Sequence, residues 1–261
     1  MFEKGDLIHG GKAYFFDWPT LGKPDSVFAC YAVTLYTVRA IIDCAYFGDE
    51  VISIAKDIEE RLSVHKKEIS AVKAISALGL LVDKSDRDSA LNYILEGGAK
   101  GYSAFMTYFI TKALAENGHM QDAFNACLEY YGGMLKMGAT SFWEGFNVEW
   151  MENACGITER PKEWQKDIHG DFGECCYIGY RHSLCHGWSC GVLGYFIEYL
   201  VGFKLSDSDY TKFSLKPNLC GLKYVKCKIP TAKGILEIEL TQKENEIERK
   251  LNIPEGMTLV D

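Results

Sequence analysis

The feature that most constrains the fold is a run of six predicted helices, joined by short turns, in the first half of the chain. Apolar residues recur there at helical spacing, and a glycine or a capping side chain separates each helix from the next. The predicted segments are residues 27–47, 49–62, 66–81, 85–95, 102–115 and 120–137. A repeated pattern of helix, tight turn and helix predicts stacked antiparallel hairpins, as in superhelical solenoids and (α/α) toroids. No fixed-period sequence repeat is found, which favours the toroid.

Between residues 138 and 187 the chain becomes irregular, and this stretch holds three of the five tryptophans. Long connections without regular structure inside a compact domain are usually functional, so a site is expected here. A further helix is predicted from about Gly187 to Leu200, with Gly202 near its C-terminal end.

After residue 205 the pattern changes to short strands separated by proline and glycine turns. The clearest strand is Gly234–Leu240, where apolar and acidic residues alternate as in a half-buried strand. The predicted strands are residues 211–216, 222–228, 234–241, 246–253 and 257–260. We therefore predict a helical domain over residues 1–205 and a small antiparallel β domain over residues 206–261.

The charge of the chain restricts its partners. Its 261 residues carry a formal net charge of -8, with a pI near 5.4. A negative surface is repelled by nucleic-acid backbones and anionic membranes, whereas a neutral ligand such as a sugar is compatible with it. The sequence contains no apolar run approaching a membrane span, and its N-terminus lacks a signal-peptide core. We expect a cytoplasmic protein.

Ten cysteines are present, but none form a Cys-x-x-Cys pair, so we expect buried thiols in a reducing compartment. A zinc site from His182, Cys185 and His186 is conceivable by residue type, but their spacing fits no familiar structural zinc pattern. We predict neither a metal nor a cofactor.

The sharpest candidate for chemistry is Glu144, within Gly138-Ala-Thr-Ser-Phe-Trp-Glu-Gly-Phe146. Inverting glycosidases need a carboxylate that deprotonates water, and a glutamate among aromatic residues suits that role. An isolated glutamate in a loop is more commonly a surface residue, so the segment alone does not decide between these interpretations.

Two further residues are candidates for binding a ligand. His186 lies immediately before a predicted helix, where its ring nitrogens can face a ligand or, alternatively, bond a backbone carbonyl. Trp18, in the proline-bounded segment Phe16–Pro19, is suited to stack on a sugar or to seal the helical domain.

These segments together resemble the α-L-rhamnosidases of glycoside hydrolase family 78. Several blocks match in the same order along nearly the whole chain. They are Phe16-Asp-Trp-Pro-Thr20, Tyr102–Glu116 followed by Gly118, Tyr131-Gly-Gly-Met134, Gly138-Ala-Thr-Ser-Phe-Trp-Glu144, Ser183-Leu-Cys-His-Gly-Trp-Ser-Cys-Gly191 and Lys228-Ile-Pro-Thr-Ala-Lys-Gly234.

The resemblance implies an (α/α)6 barrel followed by a β-sandwich, and an inverting hydrolysis of terminal α-L-rhamnosides. It assigns Glu144 to the general base, His186 to a histidine that contacts the rhamnose hydroxyls, and Trp18 to the lining of the sugar pocket. The expected ligand is a rhamnose-containing glycoside.

The chain departs from the family pattern in one respect. The family's general acid lies upstream of the Asp-Trp-Pro segment, and the barrel needs twelve helices, whereas about seven are predicted here. We therefore expect a mainly α protein that forms a partial (α/α)6 toroid with an appended small antiparallel β-sandwich. The chain is then a fragment that lacks the N-terminal half of the enzyme, a protein completed by a partner or by homo-oligomerisation, or a degenerate homologue. The alternatives are a non-catalytic carbohydrate-binding or assembly module, or another toroid enzyme such as an unsaturated-uronyl hydrolase. The last would need basic residues, and no basic cluster surrounds Glu144.

Overall fold

The computed structural model describes residues 2–3, 6–7, 26–44, 47–63, 72–83, 86–169, 182–207 and 209–260. The chain packs as two compact units, Met1–Cys190 and Gly191–Asp261. A two-residue antiparallel pair, β1 (Phe2–Glu3) with β2 (Asp6–Leu7), begins the first unit.

Six helices follow among the described residues of the first unit, as the sequence predicts. They are α1 (Ser26–Asp43), α2 (Asp49–Ser63), α3 (Lys73–Val82), α4 (Arg87–Leu95), α5 (Thr107–Glu116) and α6 (Met120–Lys136). The predicted start of α5 at residue 102 is too early by five residues. Turns containing Gly97, Gly98 and Gly101, all with positive φ, precede the helix instead.

The six helices form two layers. Helix α3 contacts α1 and α5, whereas α2, α4 and α6 each pack against the preceding odd-numbered helix. The sequence explains this division, because nearly every residue of α3 is buried, whereas α2 buries Ala55 and Leu62 and turns charged residues outward. An inner layer of α1, α3 and α5 with an outer layer of α2, α4 and α6 is an arc of an (α/α) toroid.

Consecutive helices run in opposite directions. The ammonium group of Lys73, at the start of α3, bonds the carbonyl of Glu96 just after α4, and Arg87 at the start of α4 bonds Asn117 just after α5. The connection from α4 to α5 and the long segment that follows α6 therefore lie at the same end of the hairpin stack. Residues of these two connections can therefore contribute to one site.

The described residues of the segment after α6, 137–169 and 182–186, contain little regular structure, as predicted. It includes 3-10 helices at Val148–Met151 and Gly187–Cys190, and a short parallel pair, β3 (Ala154–Cys155) with β4 (Lys166–Asp167). Within the described ranges, none of the helices combines the length and the apolar character needed to cross a membrane.

The second unit begins with helical turns and continues as strands. Its elements are α7 (Gly191–Tyr195), a π-helical turn (Phe196–Leu200), β5 (Phe203–Leu205), β6 (Lys212–Leu215), β7 (Tyr224–Thr231), β8 (Gly234–Gln242), β9 (Ile247–Asn252) and β10 (Thr258–Leu259). The single helix predicted over residues 187–200 is thus divided into 3-10, α and π segments.

Two three-stranded sheets, ordered β10-β6-β5 and β7-β8-β9, share one apolar core. The alternation predicted for β8 is confirmed, because Leu236, Ile238 and Leu240 are fully buried. The intervening Glu237 and Glu239 form ion pairs across the sheet with lysines of β7. This arrangement is the small β-sandwich that was predicted, although β10 pairs with β6 in parallel, so that sheet is mixed.

Packing divides the chain earlier than the sequence prediction does. The observed units meet between Cys190 and Gly191, whereas the predicted boundary followed residue 205. The apolar core of the sandwich includes Val201 and Phe203, and Ile197 packs against it. The turns before β5 therefore contribute to the core of the second unit.

Gly202 has a φ of +74°, and a Cβ atom there would overlap the carbonyl oxygen of Lys216. We expect Gly202→Ala to lower the free energy of unfolding by about 2–4 kcal/mol, because strain and a backbone clash add together. Urea denaturation followed by circular dichroism measures this loss.

The matched control is Gly221→Ala, because Gly221 has a φ of +85° but nothing within 4 Å of its added Cβ. This change should lower the free energy of unfolding by only about 1 kcal/mol, because backbone strain is its single effect. Equal losses for the two variants would contradict the close approach of residues 202 and 216.

Candidate active site

Two separate stretches of the first unit are joined by backbone hydrogen bonds. The amide of Glu144 donates to the carbonyl of Ser183 at 2.9 Å, and the amide of His186 donates to the carbonyl of Phe142 at 2.8 Å. The two most promising sequence segments, which lie some forty residues apart, are thereby brought into contact. Glu144 and His186 consequently lie side by side.

Side chains strengthen this pairing. The indole Nε1 of Trp188 donates to the carbonyl of Glu144 at 2.8 Å, and the hydroxyl of Ser189 donates to the carbonyl of Trp143. Tyr131 on α6 donates in turn to the carbonyl of Ser189 at 3.0 Å. The backbone around Glu144 is therefore held in place by Trp188 and Ser189, and Ser189 is in turn held by Tyr131 of α6.

The Glu144 side chain is almost fully buried, with 6% of the residue exposed. Its Oε2 accepts a hydrogen bond from the amide of Ser183 at 2.9 Å, which sets the orientation of the carboxylate. Among the described residues, no hydrogen-bond donor reaches Oε1. One oxygen is thus anchored, and the other can accept a proton from a bound water.

His186 is less buried than Glu144. Its Nδ1 lies 4.0 Å from Oε2 of Glu144, which is beyond hydrogen-bond distance, and its side chain is 35% exposed. The centroid of the His186 ring lies 5.0 Å from that of Trp188, and the Trp188 ring lies 5.4 Å from the ring of Phe105. The histidine is therefore held beside the carboxylate while keeping a surface for a polar ligand.

Two further histidines, His169 and His182, form a pair near Glu144. The rings of His169 and His182 stack at 4.9 Å with an angle of 10°, and both are buried. The ring centroid of Trp143 lies 4.7 Å from that of His169, and the ring centroid of Trp150 lies 5.6 Å from that of His182. Burial lowers the pKa of His182, while the carboxylate of Glu144 acts in the opposite direction.

No sequence pattern predicts this stacked pair, and His182 enters the sequence-based predictions only as a conceivable zinc ligand. Their one sequence signal is their place in or beside the tryptophan-rich irregular stretch. The described residues contain no group of three or more His, Cys, Asp or Glu side chains placed to hold a metal ion.

Trp18, the third predicted site residue, lies outside the described residues. The structure thus brings together Glu144 and His186, and the position of Trp18 relative to them remains a prediction. All the described cysteines are free thiols.

Neither of two cavities in the described part of the chain is lined by Glu144 or His186. One of about 280 Å³ lies between the last turn of α6 and residues 139–142. Another, of about 410 Å³, lies at the start of α3 and the connection from α4 to α5. The identification of the site therefore rests on the arrangement of side chains around Glu144.

Neither a protein-family model nor a curated protein sequence matches the chain. Solved structures do. The α-L-rhamnosidase of Aspergillus terreus superposes with a TM-score of 0.73 at 14% identity, covering 99% of this chain and 32% of its own. The Streptomyces avermitilis α-L-rhamnosidase complexed with L-rhamnose superposes with a TM-score of 0.70 at 12% identity. This match covers 98% of this chain and 25% of that enzyme.

A third structure, the α-L-rhamnosidase of Dictyoglumus thermophilum, gives a TM-score of 0.62 at 19% identity and covers 94% of this chain and 28% of its own. The chain therefore spans about a quarter to a third of the length of these enzymes. Within that span the agreement includes the helical part and the appended β part. The chain has the fold of the corresponding portion of the α-L-rhamnosidases.

Proposed function

We propose that this chain forms the general-base side of an inverting glycoside hydrolase site of the α-L-rhamnosidase type, with Glu144 as the base. The observation that carries the proposal is the state of the Glu144 carboxylate. It is buried and anchored through Oε2 by the amide of Ser183, and no donor from the described residues reaches Oε1. The fold shared with α-L-rhamnosidases supports the choice of reaction.

In an inverting hydrolysis, Glu144 would accept a proton from water through Oε1. The oxygen of that water bonds to the anomeric carbon while the glycosidic C–O bond breaks, and a general acid protonates the departing oxygen. Anchoring Oε2 serves this step, because a carboxylate already held in one orientation loses little conformational freedom when the water binds. The general acid is not assigned to any residue of this chain.

His186 is proposed to bind the sugar. Its exposed ring lies next to the carboxylate, so a hydroxyl group hydrogen-bonded to the ring would place the neighbouring carbon near Glu144. Trp188 keeps the ring in position through their contact and through its own bond to the carbonyl of Glu144. Trp18 is proposed, from the family resemblance, to complete the wall of the sugar pocket.

Terminal α-L-rhamnosides are the proposed substrates. One of the matching enzymes was solved in complex with L-rhamnose, which makes this sugar the appropriate probe. The absence of a positively charged cluster among the described residues near Glu144 makes an acidic sugar a poorer candidate for this subsite. Ligand binding tests the proposal directly, whether or not the chain supplies the acid.

We expect His186→Ala to weaken the binding of L-rhamnose by at least about tenfold, because a hydrogen bond to the sugar is lost. Isothermal titration of L-rhamnose into the wild-type chain and the variant measures the change. His119→Ala is the control, since that histidine lies at the start of α6 and pairs with Asp122. An unchanged affinity in His186→Ala would remove this residue from the site.

Glu144→Gln should bind L-rhamnose within a few-fold of wild type, because the amide keeps an acceptor for the Ser183 amide and nearly the same shape. In a preparation that hydrolyses an aryl rhamnoside, the same change should lower turnover by about 10²–10⁴-fold, since the general base is lost. Release of the aryl group, followed by absorbance, measures turnover.

The control for the second experiment is Glu152→Gln, an equivalent change at an exposed position of the same segment. It should leave both binding and turnover unchanged. Full turnover in Glu144→Gln would exclude this residue as the base. Binding of L-rhamnose without any preparation able to hydrolyse rhamnosides would favour the alternative of a non-catalytic carbohydrate-binding module.

A further inference from the structure

The cavity of about 410 Å³ has a lining unlike a gap between apolar helices. Its size is within the range of small-molecule binding sites, roughly 300–1,000 Å³. The lining combines an aromatic ring, two ammonium groups, a carboxylate and two glycines. These residues are Tyr93, Lys73, Lys100, Glu96, Gly97 and Gly101, together with Val72.

The walls of this cavity are held in place before any ligand arrives. Lys73 is 93% buried, and its ammonium group donates to the carbonyls of Glu96 and Gly98. The amide of Ala99 donates to the carboxylate of Glu129 on α6 at 2.8 Å. The turn from residue 96 to 101 is thereby fixed to both α3 and α6, which makes it a preorganised wall.

Glycine is required in part of this turn. Gly98 has a φ of +60° and its Cα faces the Glu129 carboxylate so closely that a side chain would displace it. Gly97 and Gly101 also have positive φ, but a Cβ at Gly101 would meet nothing within 4 Å. At these two positions the bare backbone borders the cavity, where its polar groups can bond a ligand.

The charges around the cavity nearly balance. Lys100 forms a 2.7 Å ion pair with Glu149, and the carboxylates of Glu129 and Glu96 attract the buried ammonium of Lys73. A site for phosphate or sulfate would carry an excess of positive charge, which is absent here. Donors and acceptors in similar number beside an aromatic ring suit the hydroxyl groups and C–H face of a neutral sugar.

The position of the cavity relates it to Glu144. The connection from α4 to α5 and the segment after α6 lie at the same end of the hairpin stack. The ion pair between Lys100 and Glu149 links the cavity wall to the 3-10 helix Val148–Met151, a few residues after Glu144. The cavity and Glu144 therefore lie at the same end of the stack.

We propose that this cavity is a secondary subsite for a neutral hexose unit of the glycoside, separate from the terminal sugar beside Glu144. The assignment to a rhamnoside rests on the proposed function, whereas the affinity of the cavity for a neutral hexose does not. The two sites share no lining residue.

The test is a nuclear magnetic resonance titration of the ¹⁵N-labelled chain, following the amides of Gly97 and Gly101. The probes are L-rhamnose, D-glucose, a neutral rhamnosyl-glucose disaccharide and a rhamnosyl-glucuronate disaccharide. D-glucose and the neutral disaccharide should shift both glycine amides, the disaccharide at lower concentration because its two units bind together.

Variants separate the two sites. Lys100→Ala and Tyr93→Leu should each weaken the binding of the neutral disaccharide by about tenfold and leave the affinity of the Glu144 site for L-rhamnose unchanged. Lys56→Ala, an exposed lysine on α2, is the control and should change neither affinity. His186→Ala should lose L-rhamnose binding but keep the glycine shifts caused by D-glucose.

Glycine amides that respond neither to D-glucose nor to the neutral disaccharide would overturn the secondary subsite, even if L-rhamnose binds as expected. Tighter binding of the glucuronate disaccharide than of the neutral one would also overturn it, since the charge balance would then be misread. Shifts caused by D-glucose in a chain that does not bind L-rhamnose would support the cavity and reject the rhamnoside function.

Discussion

Two backbone hydrogen bonds, from Glu144 to Ser183 and from His186 to Phe142, hold together the part of the chain on which the site depends. A buried carboxylate is costly unless hydrogen bonds replace its water, and the Ser183 amide provides one of them. The same pairing sets the distance between Glu144 and His186. Loss of this contact would separate the two candidate residues and leave a buried charge without its anchor, so local stability and chemistry have a common origin here.

The helical hairpins supply the frame for this contact. Because consecutive helices alternate in direction, every second connection returns to the same end of the stack, and the longest of them carries Glu144. Helix α6 also contributes directly, since Tyr131 bonds Ser189 and Tyr130 bonds the carbonyl of Phe146 at 2.6 Å. Apart from Lys73 at its start, α3 consists of apolar or small residues, nearly all of them buried.

Much of the fold could be predicted from the sequence, because periodicity reports which face of an element is buried. The six hairpin helices and the alternation of Leu236, Ile238 and Leu240 are of this kind. The division of residues 187–200 into three helical types could not, since all three share similar apolar spacing and differ only in which carbonyl each amide reaches. The contact between Glu144 and His186 was accessible through family resemblance alone. The stacked His169 and His182 were missed because their pairing depends on chain segments that no local pattern relates.

The two sheets of the second unit differ in how far apart their partners lie along the chain. The sheet β7-β8-β9 is a simple meander, in which each strand pairs with its neighbour in sequence. In the other sheet β6 pairs with β5 and also with β10. The pairing of β6 with β10 aligns Lys212 with Thr258, so the whole meander lies between these two strands in the sequence. Closing such a long loop costs more chain entropy than closing a hairpin, so the β6–β10 pairing is expected to form late in folding. During synthesis, the β6 edge would therefore stay open until residues 258–259 leave the ribosome.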